Sequence, residues 1–136
     1  MRSFWFFLLP PLLTLGCHSA LDDAMASYED GRYPSAAAQF RAAEPASRRL
    51  AAGDRASYAL YRGLTHLALG DAHAAARWLG AAKVAADRDP NSLSDKDRGE
   101  LLAAWRSMGH MPGEPGFATA AAPPALPSDA SASAAR

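Results

Sequence analysis

The chain has 136 residues, and its 14 basic and 14 acidic side chains leave a formal net charge of zero. Without a basic excess to neutralise a phosphate backbone, the composition argues against nucleic acid as a partner. A single cysteine excludes an internal disulfide and a cysteine-built metal site.

Alanine dominates the middle of the chain, whereas valine occurs once and isoleucine not at all. Helices favour alanine and strands favour β-branched residues, so the composition predicts an all-α fold.

At the N-terminus, Met1-Arg2-Ser3 precedes an apolar run from Phe4 to Gly16. One basic residue followed by a short apolar stretch is the pattern of a secretory signal. The run falls short of the roughly 20 residues a membrane span needs, and Pro10-Pro11 would interrupt a spanning helix. Ala24-Met25-Ala26 offers the small-x-small form of an ordinary secretory cleavage site, although it lies well past the run and beyond Asp22-Asp23. Leu13-Thr14-Leu15-Gly16-Cys17 ends the run directly and resembles a bacterial lipobox, with Thr14 where that family prefers leucine.

The lipobox resemblance implies cleavage after Gly16, a diacylglycerol on the Cys17 thiol and, usually, an acyl chain such as palmitate on the new amine. Two or more acyl chains hold a protein firmly to a membrane. By resemblance to enterobacterial sorting, His18, where aspartate causes inner-membrane retention, implies an outer-membrane location facing the periplasm. The expected organisation is a signal peptide over 1–16, a lipidated N-terminus and short linker over 17–20, a helical domain over 21–111 and a disordered Pro/Ala/Ser-rich tail over 112–136.

Within the domain, Tyr28–Ala43 can be laid on Leu67–Ala82. Gly31 pairs with Gly70, Ala36 with Ala75, Phe40 with Leu79 and Ala43 with Ala82, each pair 39 positions apart. Gly31, Tyr33, Ala36, Phe40 and Ala43 form a string that resembles the second half of a tetratricopeptide repeat. Gly70, Ala75, Leu79 and Ala82 repeat it with Ala72 in place of the tyrosine, and Gly63 matches the small residue of that family's first helix.

The spacings have physical reasons. Gly31 and Gly70 sit where a helix ends in a left-handed residue. The alanine, the large apolar residue and the second alanine share one helical face. The first helix of each pair is expected over about Leu21–Asp30 and Arg55–Leu69, the latter capped by Asp54 and carrying Tyr58, Tyr61, Leu64 and Ala68 as its apolar stripe. The family repeat is about 34 residues long, so the extra length is expected as a longer connection over Glu44–Asp54, with Leu50 turned inward.

A last helix is expected after Asp89-Pro90-Asn91, with Ser94 as N-cap, Asp97 in the first turn and Gly109 as the stop. Leu101, Leu102, Trp105 and Met108 give it an apolar face. Tyr61–His66 resembles Trp105–His110 at an offset of 44, as a terminal capping element would. The resemblance as a whole implies antiparallel helix hairpins stacked as a short tetratricopeptide-like solenoid, about two repeats plus a C-terminal capping helix.

Candidate chemistry is sparse. His18, His66, His73 and His110 lack the spacing of a helical zinc site, and no nucleophile elbow, phosphate loop or dinucleotide fingerprint is present. Neither a cofactor nor catalysis is expected. In the repeat family the first helices line a surface that receives a peptide or helix, which makes Arg62, Tyr61 and Arg106 the candidate partner-binding residues; a solvated charged face for the arginines and core packing for Tyr61 are the plainer alternatives.

The functional expectation is a non-catalytic envelope lipoprotein acting as an interaction scaffold. It resembles the tetratricopeptide lipoproteins of outer-membrane protein assembly and type IV pilus biogenesis. An accessory subunit of a cell-wall enzyme is the alternative. Expected partners are one or more envelope proteins, the membrane through the lipid, and a second copy through self-association.

Overall fold

The computed structural model describes residues 16–111, 113, 115 and 116, with backbone alone for 16–19. The described residues form five helices and no strand: α1 (Gly16–Glu29), α2 (Tyr33–Ser47), α3 (Ala52–Ala68), α4 (Ala72–Arg88) and α5 (Asp95–Ser107). The all-α expectation holds. The apolar run before Gly16, the Cys17 side chain and residues 117–136 lie outside what is described. Among the described residues no helix is long and apolar enough to cross a membrane.

Three of the five helices stop in the same way. Gly31, Gly70 and Gly109 have φ of 72°, 78° and 90°, a conformation that costs glycine nothing and other residues a good deal. At each, the next residue's N–H reaches back to a carbonyl five positions earlier: Arg32 to Ser27, Asp71 to His66, and His110 to Trp105. The glycine itself donates to the residue three before it. This double closure satisfies carbonyls that a helix end leaves open. The tight reversals at Gly31 and Gly70 lay α2 back on α1 and α4 back on α3.

Helix starts follow the chemistry of their caps. The Asp71 carboxylate accepts from the Ala74 N–H at 3.0 Å, and the Ser94 hydroxyl accepts from the Asp97 N–H at 3.1 Å. Each cap is worth about 1 kcal/mol. Asp54 does not cap α3. That helix begins two residues earlier, with Ala51 at the cap position and no side-chain bond there. Asp54 lies instead in the first turn, where the helix dipole favours a carboxylate.

The connection expected over Glu44–Asp54 is likewise shorter, because α2 runs through Pro45 to Ser47. Proline in the last turn forfeits one backbone bond, and the Ser47 hydroxyl donates to the Glu44 carbonyl at 2.7 Å. Only residues 48–51 link α2 to α3, with Leu50 packed against the core. At the other end, residues 17–20 are the opening turns of α1 rather than a linker.

Helix α3 lies at the centre and contacts all four others, with α2 and α4 as its sequence neighbours. Ala24, Ala36, Phe40, Leu60, Ala75, Leu79, Ala82, Leu101 and Trp105 are fully buried. Ala43 and Tyr33 are half-buried, while Ala68, expected in the apolar stripe, is exposed at the end of α3. Two helices approach closely at Gly63. A Cβ there would stand 2.7 Å from Leu79 Cγ and 2.9 Å from the Leu79 backbone nitrogen, so α3 and α4 touch backbone to backbone.

Candidate functional site

Arg62 is one of three residues the sequence offers for partner binding, and the structure places it in the interior. It is only 8% exposed. Its guanidinium donates to the Tyr58 hydroxyl and to Glu44 Oε2, the latter at 2.9 Å, and it lies 4.1 Å from the centroid of the Trp78 ring. Tyr58 in turn donates to the Phe40 carbonyl at 2.9 Å and meets Trp78 edge to face at 5.6 Å. Burial pushes the Tyr58 phenol above its ordinary pKa, and the adjacent Arg62 charge partly offsets that rise.

Arg62 therefore ties α2, α3 and α4 together instead of reaching out from them. Planar stacking on an aromatic face and a fork of donors suit arginine to this work and lysine poorly. The consequence for function is indirect: the guanidinium and Tyr58, bonded to each other, both pack against the Trp78 indole.

Tyr61 is also internal, at 4% exposure. Its hydroxyl donates to Asp97 Oδ1 at 2.8 Å, while the other oxygen of Asp97 accepts from the Ser94 hydroxyl at 2.8 Å. Burial, together with this carboxylate, raises the Tyr61 pKa far above its ordinary value. The residue docks the start of α5 on α3 and presents no surface to a partner. Arg106 is exposed on α5, with its Nε donating to the Leu102 carbonyl at 3.2 Å.

His66, His73 and His110 do not converge. His66 Nδ1 lies 3.5 Å from Asp71 Oδ2, His73 is exposed, and His110 stacks on Trp105 at 4.3 Å. Among the described residues no group of three or more His, Cys, Asp or Glu side chains is placed to hold a metal ion.

A concavity lies where α2 ends, α3 begins and α4 finishes. It is an open groove of about 730 Å³. Its floor is made of small apolar side chains: Ala52, Ala56 and Ala59 from α3, and Ala81, Val84 and Ala85 from α4. Small residues at successive turns of two antiparallel helices leave that space unfilled. Trp78 forms one wall, held as described above.

Four arginines line the same groove: Arg48 and Arg55 at the α2–α3 junction, Arg77 and Arg88 on α4. All four are exposed, and among the described residues none forms an ion pair. Two carboxylates accompany them. Glu44 is already engaged by Arg62, and Asp89 accepts from the Asn91 N–H at 2.9 Å. The groove thus carries a positive rim over an apolar floor.

A sequence signal for this site exists. Arg77, Ala81, Val84, Ala85 and Arg88 recur at helical spacing, so they fall on one face of α4, and Ala52, Arg55, Ala56 and Ala59 do the same on α3. An alanine stripe bracketed by arginines resembles an ordinary solvated edge until the neighbouring helix is known to stand off from it.

The tail behaves differently from expectation at its start. Gly116 crosses α4, and a Cβ there would stand 2.5 Å from the Val84 nitrogen and 2.7 Å from the Gly80 carbonyl oxygen. Its N–H donates to Asp87 at 3.4 Å.

Comparison with protein-family models, with curated proteins and with solved structures finds no match for this chain. The reading of function rests on the residues themselves.

Proposed function

We propose that this protein is a lipid-anchored adaptor of the bacterial envelope, with a short tetratricopeptide-like stack of helix hairpins that holds a protein partner and performs no chemistry. One observation carries the binding part of the reading: an apolar groove lined by four arginines that form no ion pair among the described residues and outnumber its two carboxylates, with a tryptophan packed into its wall. Trp and Arg are enriched among the residues that dominate interface energies once a partner covers them.

The stacked-hairpin part is supported by three equivalent glycine stops and by the Gly63–Leu79 approach, at positions where the repeat family keeps small residues. The anchoring part rests on the apolar run and on Leu13–Cys17. In this picture the lipid on Cys17 holds α1 at the surface of the outer membrane, and α2, α3 and α4 face the periplasm.

Two measurements test it. Palmitate labelling and detergent-phase partitioning are expected for the native chain and lost in Cys17→Ser; unchanged partitioning would remove the anchor. Photo-crosslinking in cells from position 55 on the groove rim is expected to trap a protein partner, with position 103 on the far helix as the comparison. Equal labelling from both positions would remove the groove from the account.

A further inference from the structure

Resting on the adaptor reading, we infer that the groove binds an acidic peptide segment of the partner, with aliphatic or aromatic side chains flanked by carboxylates. The argument is charge complementarity at a fixed spacing. Arg77 and Arg88 stand three turns apart on α4, about 16 Å at 1.5 Å per residue. Between them, Ala81, Val84 and Ala85 form the apolar floor. Arg48 and Arg55 close the opposite edge. An occupant must bring carboxylates to the rim and apolar groups to the floor. Arginine suits the first task because its planar fork of donors matches a carboxylate bidentately.

A folded-protein segment fits better than a lipid surface. The arginines share a concave lining with an indole and small apolar side chains, a shape that a planar membrane surface does not complement. Trp78 is held by Tyr58 and Arg62, so an incoming side chain meets a rigid surface and little ordering cost is added on binding. Ser92 also lines the groove, and its hydroxyl is buried with no hydrogen-bond partner among the described residues. The chain's own residues 117–136 contain one acidic side chain, Asp129, and Arg136 offsets it. They therefore supply little of the negative charge that the rim calls for.

The test selects peptides without assuming their sequence. The full-length chain in detergent is panned against a displayed library of random twelve-residue peptides, and enriched sequences are synthesised and titrated. Enrichment of Asp or Glu on both sides of Leu, Phe or Trp is expected. Affinity should fall about tenfold for each of Arg55→Glu, Arg77→Glu and Arg88→Glu, fall steeply with salt, and be abolished by Ala81→Trp, which fills the floor.

Circular dichroism on the same variants separates loss of binding from loss of fold, and Ala103→Glu, exposed on α5, should leave affinity unchanged. Enriched peptides that are basic or uncharged would overturn the proposal. So would acidic peptides that bind Ala81→Trp as well as the native chain, or binding that appears only after residues 117–136 are removed. A dimer dissociated by Arg77→Glu in sedimentation would assign the groove to a second copy and overturn it too. In each case position 55 crosslinking in cells still decides separately whether the adaptor reading stands.

Discussion

The two ends of the α3–α4 pair are built from similar residues and do opposite things. Near Gly63 the helices touch, because glycine on one side admits the whole Leu79 side chain on the other. Toward the start of α3 both helices carry alanine at successive turns, and a groove of about 730 Å³ opens between them and α2. Small residues thus have two meanings. Opposite a large side chain a glycine draws helices together, whereas opposite other small residues an alanine leaves a space. The first region supplies stability and the second supplies a surface.

The largest effect should come from emptying the tight end. Leu79 is fully buried, so Leu79→Ala is expected to cost about 3 kcal/mol, from lost transfer energy and a residual cavity. Gly63→Ala attacks the same contact from the other helix. Part of the clash is with a backbone nitrogen that cannot move aside, and overpacking of this kind costs about 2 kcal/mol. Chemical denaturation of the two single variants and the double variant gives the coupling. A double variant clearly less destabilised than the sum is expected, since the shortened side chain at 79 removes two of the three close contacts. Strict additivity would mean the two residues are not one contact.

Gly99 sharpens the point about glycine. It lies exposed within α5, and a Cβ there would meet nothing within 4 Å. Gly99→Ala is expected to stabilise by about 0.5–1 kcal/mol through helix propensity. The same substitution at 63 and at 99 should therefore have opposite signs in a thermal melt. At the open end, Ala81→Leu adds volume to a space already empty and is expected to move stability by no more than about 0.5 kcal/mol, while blocking partner crosslinking from position 55. A loss of stability comparable to that of Gly63→Ala would show that the groove closes in solution.

Much of this division could be read before any coordinates. Gly31, Gly70 and Gly109 as helix stops, Ser94 as a cap, and Ala36, Phe40, Ala75 and Leu79 as buried positions all follow from local rules, because a left-handed residue or a capping hydroxyl acts within a few positions of itself. The errors concern residues whose role depends on a second helix. Arg62 looks like a surface cation until Glu44, Tyr58 and Trp78 surround it. Tyr61 is open between core packing and a binding anchor until Asp97, 36 positions away, accepts its hydroxyl and leaves it in the core. Pro45 looks like a break, yet a proline in a last turn sacrifices too little to stop the helix there. The groove was invisible for the same reason, since a space is a property of three helices together.

The smallest predicted effect concerns the turn that joins the tight end. His66 lies in the last turn of α3, half-buried, with Nδ1 3.5 Å from the Asp71 carboxylate that caps α4. Burial lowers its pKa below the ordinary 6.5, and the attraction of Asp71 opposes that shift without reversing it. The folded chain then binds fewer protons at this site than the unfolded chain does. Stability from this group is complete above about pH 6.5 and is lost as the pH falls through that value toward the lower folded one. Replacement by glutamine removes the titration while keeping a polar group beside Asp71. Melting temperature should drop more between pH 7.5 and pH 5 in the native chain than in His66→Gln, a comparison that cancels the carboxylates common to both. If the native chain instead gained stability relative to the variant on acidification, the Asp71 pair would outweigh burial, and the turn at Gly70 would be held by charge rather than by packing.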